Sequence, residues 1–272
     1  MIKVILEDNG IETLIHNLIA HHDSRNPRFN GLRRSGLNYK SSVDEERVDF
    51  RNNVIYNWGT HSSYGGESGK YNIVANYFKA GPATKKNVRN RITNVDVDIK
   101  PDSCPPGYGK YYIIKNFVEG FKEISKNNWL GVQVDTGVNT DSCKATEPFK
   151  CTPAITHKAS KAYKIVLATA GASLIRDKVD QRIVSEVKTG TATYKGSVSG
   201  INGLIDSQSD VGGWSVYDSQ AAPIDSNEDG IPDGWLEKKY PGKTANDLDT
   251  KGYTFLENYL NSIVEKITNQ QK

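Results

Sequence analysis

Two arginines lie three residues apart in a polar run near the start of the chain, and both are suited to holding an anion. The run reads His21-His22-Asp23-Ser24-Arg25-Asn26-Pro27-Arg28-Phe29. Pro27 stiffens the backbone between the arginines, and a guanidinium group binds a carboxylate through parallel hydrogen bonds. The pattern predicts a site that grips a polymer of carboxylates.

Such a site suits the cleavage of an acidic polysaccharide by elimination, a reaction in which no water is added. A base removes the proton next to the uronate carboxylate, and the glycosidic oxygen on the neighbouring carbon then leaves. Arginine or Ca²⁺ that neutralises the carboxylate stabilises the transition state. The local charge agrees, because residues 21–40 carry one acidic residue and five basic ones: Arg25, Arg28, Arg33, Arg34 and Lys40.

The composition favours strands and turns. The chain has 272 residues, of which 36% are hydrophobic, and it is rich in Gly, Asn, Ser and Thr.

Neither a membrane span nor a secretory signal is predicted, so the chain is either cytosolic or separated from its true N-terminus. We expect no nucleic-acid partner. A Cys143–Cys151 disulfide, which would leave Cys104 unpaired, is left open.

Asparagines flanked by β-branched and aromatic residues recur at intervals of about 20 to 40 residues, a range typical of solenoid repeats. They are Asn17, Asn52-Asn53, Asn76 and Asn116. The variable spacing favours stacked coils with outward loops over a sandwich. A lateral helix is predicted over Ala168–Val187 and a final amphipathic helix over Thr254–Ile267. We predict a β-domain over 1–222 and an acidic-loop and helix tail over 223–272.

Three segments carry a resemblance to a known family. They are Ile19–Phe29, Val48-Asp49-Phe50-Arg51-Asn52-Asn53-Val54-Ile55-Tyr56-Asn57-Trp58-Gly59, and Tyr71-Asn72-Ile73-Val74-Ala75-Asn76-Tyr77-Phe78. The chain resembles family 1 of the polysaccharide lyases, the pectate lyases, and other motifs fit its bacterial branch. The resemblance implies a right-handed parallel β-helix of the pectin-lyase-like type, calcium-assisted β-elimination on polygalacturonate (pectin), and secretion to the periplasm, the cell surface or the medium.

The resemblance also assigns roles to residues. Arg25 matches the arginine that abstracts the proton, and Arg28 matches an arginine that grips the substrate carboxylate. We expect Arg33 and Arg34 to bind substrate as well. Arginine keeps its proton unless cations and partial burial surround it, so Arg25 needs a special environment. His21 and His22 point to opposite faces and cannot chelate one ion, so one is expected to face inward.

The family's calcium-binding carboxylates lie upstream of the catalytic arginine. Only 24 residues precede Arg25 here, and Glu7, Asp8 and Glu12 do not match those ligands. We therefore expect this chain to be the C-terminal part of a longer lyase, with the missing N-terminal half of the β-helix as a partner.

An acidic loop near the C-terminus has the spacing of a calcium-binding loop. Oxygen-bearing residues alternate, and Gly230 takes the sixth position. The predicted ligands of a structural calcium ion are the side chains of Asp225, Asn227, Asp229 and Asp233 and the carbonyl of Ile231. A second loop, Asp247–Tyr253, has Lys251 in place of an acid and is expected to be held by hydrogen bonds alone.

Two other functions remain open. One is a non-catalytic or inactive carbohydrate-binding β-helix. The other is a lyase that acts on methylated pectin or another polyuronate, against which the basic cluster weighs because a methylated chain needs less positive charge in its subsite.

Overall fold

Most of the chain forms short β-strands, followed by helices towards its C-terminus. A computed structural model describes residues 4–7, 11–31, 46–98, 107–136, 139–217, 219 and 221–272. The strands are β1 Val4–Glu7, β2 Ile11–Ile15, β3 Leu18–Ala20, β4 Arg28–Phe29, β5 Arg47–Arg51, β6 Val54–Tyr56, β7 Ser63–Gly65, β8 Lys70–Val74, β9 Tyr77–Lys79, β10 Thr93–Val95, β11 Val97–Asp98, β12 Gly107–Tyr108, β13 Lys110–Ile114, β14 Phe117–Val118 and β15 Val132–Val134. The helices are α1 Lys122–Lys126, α2 Thr140–Cys143, α3 Ala159–Thr169, α4 Lys178–Thr189, α5 Trp235–Lys239 and α6 Phe255–Thr268.

Successive strands enter three sheets in turn. The first sheet has the order β1-β2-β5-β8-β13, the second β14-β9-β6-β3 and the third β15-β10-β7-β4. All neighbours in these sheets are parallel except β1, which runs antiparallel to β2. The predicted β-rich architecture of parallel strands is thus confirmed in its coarse form, and the arrangement is compatible with a parallel β-helix.

A ladder of buried asparagines stands at the bend between the first and second sheets. The Asn17 side chain donates to Asn53 Oδ1 at 2.9 Å, Asn53 donates to Asn76 at 3.0 Å, and Asn76 donates to Asn116 at 3.0 Å. Each acceptor oxygen also takes the backbone N–H of the preceding member at 2.9 Å. The repeated asparagines of the sequence therefore satisfy a buried bend, where an unpaired amide would be costly.

The space between the sheets is filled by aromatic and β-branched side chains. Phe29 of the third sheet and Tyr71 and Tyr111 of the first stack with ring centres 4.7 and 4.9 Å apart. Trp58 is also fully buried and meets Phe78 edge to face. Because these rings pack against one another in the interior, they hold the third sheet at a fixed distance from the first.

Helices α3 and α4 cover the outer face of the second sheet. Val166, Leu167, Val184 and Val187 pack there against Val54 and Tyr56. The predicted helix over Ala168–Val187 is wrong in its first half, because α3 ends at Thr169 and α4 starts at Lys178. Gly171 adopts φ +78°, and the Asp177 side chain caps α4 by accepting from Asp180 N. Leu174 and Ile175 in the break are exposed.

The tail after residue 223 ends in α6, close to the predicted helix. Thr254 and Glu257 form a reciprocal capping box at its start. Just beyond α6, the Gln271 side chain donates to Thr169 Oγ1 at the end of α3 at 3.0 Å, and the Gln271 carbonyl lies 3.2 Å from His157 Nε2. Within the described residues, none of the helices has the length and apolar character needed to cross a membrane.

Replacing Asn76 with alanine tests the ladder. The change leaves the buried Asn53 N–H and the Phe50 carbonyl without their partners, so the free energy of unfolding should fall by about 2 kcal/mol or more. Urea denaturation of Asn76→Ala measures the loss. Asn269→Ala, at an exposed position in the final 3₁₀ turn, should stay within about 0.5 kcal/mol. Equal stability of the two variants would contradict the role given to the ladder.

Candidate active site

Each level of the structure is a set of three successive strands, one in each sheet. The segment His21–Pro27, called the arginine loop below, follows β3 in the first level. It is hydrogen-bonded to the segment between β6 and β7 in the next level. The Asp23 carbonyl accepts hydrogen bonds from the amides of Gly59, Thr60 and His61 at 3.1, 2.8 and 3.1 Å. The Asp23 carboxylate accepts from Thr60 Oγ1 at 2.9 Å. A Cβ on Gly59 would overlap that carboxylate, so this close approach requires glycine. The loop backbone is therefore held rigidly.

Asn26 fixes the second half of the loop from inside. Its side chain is buried and donates to the carbonyls of His22 and His61 at 3.0 and 2.8 Å. Its backbone N–H donates to the Ser62 carbonyl at 3.1 Å, and the peptide bond to Pro27 is cis. Asn26 thus joins both ends of the loop to the segment that leads into β7.

Arg25 projects from this rigid loop into solvent. Its backbone has φ +63°, an uncommon conformation for a residue with a side chain, and its NH1 donates to Ser24 Oγ at 3.3 Å. Such a backbone persists only where the surroundings enforce it, and it is found most often at functional sites. In the described structure the Arg25 side chain is exposed rather than buried.

Arg28 lies on β4, beside a buried carboxylate. Its guanidinium carbon is 5.8 Å from the centre of the Tyr64 ring, and its NH2 is 3.8 Å from Glu67 Oε1. The Arg28 side chain is 24% exposed and that of Glu67 only 4%. Arg28 is therefore held in place by a counter-ion and an aromatic face, with part of its guanidinium open to solvent.

Glu46 secures the chain just after β4. Its carboxylate accepts from the amides of Asn30 and Gly31 at 3.1 and 2.6 Å and from the Tyr71 hydroxyl. Burial, followed by the Glu46 charge, raises the pKa of Tyr71, so the phenol stays a donor. Sequence pattern alone could not identify this residue, because its partners lie in other levels of the structure.

His21 faces inward, as expected for one member of the pair, and its ring is held by Asn57 and Glu186. The Asn57 amide donates to the Asn202 carbonyl at 3.1 Å while its oxygen accepts from Ala83 N at 2.7 Å, which fixes the orientation of that amide. Asn57 Nδ2 is then a donor 2.9 Å from His21 Nδ1, so Nδ1 carries no proton. The proton sits on Nε2, which lies 2.7 Å from Glu186 Oε2 in α4.

The charge state of this pair follows from burial. Burial lowers the pKa of His21, and this outweighs the opposite effect of Glu186. Burial alone would raise the pKa of Glu186, but hydrogen bonds from Thr193, with the charges of His21 and Arg182, bring it below its usual value. A neutral imidazole therefore contacts an ionised carboxylate and ties the start of the arginine loop to α4.

A row of polar side chains continues from Arg28 across the outer face of the third sheet. Tyr64, Asn94 and Gln133 occupy equivalent positions on successive strands. Asn94 donates to Asp96 at 2.7 Å, and burial, with the nearby Asp135 charge, raises the pKa of Asp96 despite that hydrogen bond. Strands in a sheet lie about 4.8 Å apart, so the row forms a polar strip beside the arginine loop.

The predicted calcium loop folds around its first aspartate. Asp225 accepts from the amides of Asp229 and Gly230 at 3.3 and 2.9 Å, and Gly230 has φ +85°. Asp233 instead accepts from Ser226 N and Oγ at 2.9 and 2.7 Å, bonds that lower its pKa. Asn227, Asp229, Asp233 and Glu237 line one concavity.

The oxygen donors suit calcium, but the carboxylates do not converge on one point. Among the described residues, no three His, Cys, Asp or Glu side chains are grouped closely enough to hold a metal ion. In the second loop, Asp249 accepts from Lys251 N, Tyr253 N and Asn258 at 2.7, 3.0 and 3.1 Å. Arg33, Arg34 and Cys104 lie outside the described residues, and Cys143 and Cys151 are free thiols, so no disulfide joins them.

The chain is similar to curated fungal proteins. It is 31% identical over 272 residues to "Probable pectate lyase C" of Aspergillus flavus, 31% over 270 residues to the protein of that name in Aspergillus oryzae, and 30% over 274 residues to that of Aspergillus terreus. Each alignment covers 96% of this chain and 55% of the relative, so the chain spans about half the length of these proteins. No protein-family profile matches the chain.

The resemblance to the pectate lyases agrees with the names of these relatives, to which the chain is similar over about half of their length. Because these relatives are fungal, the assignment to the bacterial branch stays a prediction.

The His21 contact predicts a dependence of stability on pH. Because the pKa of His21 is lowered in the folded state, the unfolded chain binds the proton first, and stability is lost as the pH falls below about 6.5. The free energy of unfolding, measured in urea at pH 7.5 and pH 5.5, should fall more for the wild-type chain than for His21→Gln. If both chains lose the same amount, His21 does not contribute in this way.

Proposed function

We propose that this chain is the arginine-bearing part of a pectate lyase that cleaves polygalacturonate by β-elimination and leaves unsaturated oligogalacturonides. The observation that carries the proposal is Arg25, an exposed cation on a loop whose backbone is fixed by Asp23 and Asn26. The homologues named pectate lyase support the reaction class and the substrate.

The residues divide the work between binding and proton transfer. Arg25 abstracts the proton next to the carboxylate, and Arg28, steadied by Glu67 and Tyr64, binds the carboxylate of the sugar. Arg33 and Arg34 add positive charge for the polymer. A sugar chain lying on the loop would shield Arg25 from water, which supports the change of environment that an arginine base needs.

Calcium is the proposed cofactor of the reaction. When bound, the ion would neutralise the uronate carboxylate and make the neighbouring proton easier to remove. We propose that its catalytic ligands belong to the part of the relatives' length that this chain does not cover. The enzyme would act outside the cell, where polygalacturonate is found.

The three sheets are proposed to form a right-handed parallel β-helix that continues beyond β3 and β4. These two are the edge strands of their sheets among the described residues, and an edge strand offers unpaired N–H and C=O groups to a further strand. The relatives are longer than the part that this chain covers, which is 55% of their length, and this supports a further segment as the partner that supplies the strand.

Product formation tests the proposed activity. The chain, incubated with polygalacturonate and Ca²⁺, should release unsaturated uronates that absorb ultraviolet light, and excess chelator should stop the release. Arg25→Ala should lower the rate by at least about 100-fold, because it removes the base. Lys126→Ala, at an exposed residue paired only with Glu123, is the control and should not change the rate.

If the chain alone is inactive, the complementary segment of the Aspergillus flavus relative should be supplied in the same assay. No unsaturated product under either condition would overturn the lyase proposal. Retained binding to polygalacturonate in that case would favour a carbohydrate-binding module, and a preference for methylated pectin or alginate would favour the other lyase.

We also propose that residues 223–272 form a unit with a structural calcium ion, held by Asp225, Asn227, Asp229, Asp233 and the Ile231 carbonyl. The support is the folding of the loop around Asp225 and the all-oxygen donor set. Binding would require the Asp233 carboxylate to leave Ser226.

Thermal unfolding tests this site. Calcium at 100 times its dissociation constant should stabilise the unit that holds the loop by about 2.7 kcal/mol and raise its melting temperature. Asp225→Ala should abolish the calcium effect, whereas Asp249→Ala in the second loop should leave it intact. A calcium effect that is unchanged in Asp225→Ala would rule out this loop as the binding site.

A further inference from the structure

His22, the neighbour of His21, is held in the opposite tautomer by its own hydrogen bond. His22 is exposed, and its Nδ1 lies 2.6 Å from the Ser24 carbonyl oxygen. A carbonyl can only accept, so Nδ1 must carry the proton. Nε2 of this exposed ring is therefore the nitrogen left open to a ligand.

The two adjacent histidines are thus built for different tasks. His21 places its Nε2 proton against Glu186 in the interior, where it ties the loop to α4. His22 keeps Nδ1 on the loop backbone and turns Nε2 outward, and the same Ser24 that supplies its carbonyl also accepts from Arg25 through Oγ. The ring and the guanidinium therefore each bond to Ser24, the ring to its backbone carbonyl and the guanidinium to its hydroxyl.

Imidazole is the side chain that exchanges protons near neutral pH. The proposed reaction still lacks the residue that gives a proton to the leaving oxygen. β-Elimination needs a base for the carbon-bound proton and an acid for the glycosidic oxygen that leaves. We propose that His22 is that acid, a catalytic residue that works together with Arg25. The inference rests on the proposed lyase function.

The step balances as follows. Neutral Arg25 takes the proton from the carbon next to the carboxylate, and the electron pair of that C–H bond forms the double bond to the neighbouring carbon. The bond from that carbon to the glycosidic oxygen breaks, and the oxygen receives the Nε2 proton of the His22 imidazolium. Arg25 ends as a guanidinium and His22 as a neutral imidazole with its Nδ1 proton still on Ser24. Exchange with water restores both.

Several charged groups surround His22. On its own loop these are Asp23, bound to Thr60, and Arg25. From the adjoining segment comes His61, whose pKa is lowered by burial and then by the Arg91 charge. Behind the loop lies the His21–Glu186 pair. A change in the pH profile must therefore be assigned by substitution at position 22 itself.

Asparagine at position 22 separates a catalytic role from a structural one. Its side-chain nitrogen occupies the place of Nδ1 and can still donate to the Ser24 carbonyl, but it has nothing in the place of Nε2. His22→Asn should therefore unfold at the same temperature as the wild-type chain yet cleave polygalacturonate about 100-fold more slowly. The pH profile of the rate should also change in this variant, because it has no imidazole to donate a proton to the leaving oxygen.

A second substrate separates the acid from the base. A uronide that carries nitrophenolate as its leaving group needs no protonation of that group. His22→Asn should eliminate it at nearly the wild-type rate, whereas Arg25→Ala should stay at least about 100-fold slower on both compounds. The assay includes the complementary segment if the chain requires it.

Each outcome decides the proposal. If His22→Asn matches the wild-type rate on polygalacturonate, or loses equally on both substrates, His22 is not the acid, and the lyase proposal stands without it. If the wild-type chain eliminates neither compound, both proposals fall. If His22→Asn does not fold, His22→Gln at the same position provides the comparison, with circular dichroism as the check of folding.

Discussion

The hydrogen-bonded ladder of buried asparagines is the constraint on which the rest of the structure depends. Each member satisfies the backbone of its neighbour at the bend between the first and second sheets. This repeated bond fixes the spacing of the levels and the direction in which each chain leaves the bend. β3 starts at the first rung, immediately after Asn17, so the place where the arginine loop begins is set by the ladder.

Beyond β3, the arginine loop is held rigid by hydrogen bonds to backbone groups rather than by side-chain packing. Asp23 and Asn26 bind the segment that enters β7, and His21 binds Glu186 in α4. These contacts hold His21 and Arg25 at φ 58° and 63°, conformations that cost of order 1 to 3 kcal/mol each. The stability of the surrounding levels offsets that cost, and the result is a cation and an imidazole presented at fixed positions.

The sequence predicted the parts of this arrangement that depend on local pattern. The asparagine positions, the final helix and the inward turn of one histidine were all within its reach, because each follows from neighbouring residues. The contacts of Arg28 with Glu67 and of His21 with Glu186 were not, since they join distant segments. The lateral helix was predicted too long because apolar spacing continued through Gly171, where the backbone turns left-handed. The role of Arg25 as a base came from the family resemblance and remains a proposal.

A crystal structure of the protein with a trigalacturonate and Ca²⁺ would test the central claim most directly, that the arginine loop is where a uronate polymer binds. The account predicts a carboxylate of the sugar paired with Arg28, the neighbouring C–H facing Arg25, and the glycosidic oxygen within hydrogen-bond distance of His22 Nε2. A trisaccharide bound elsewhere on the molecule, with Arg25 and Arg28 facing solvent, would contradict it.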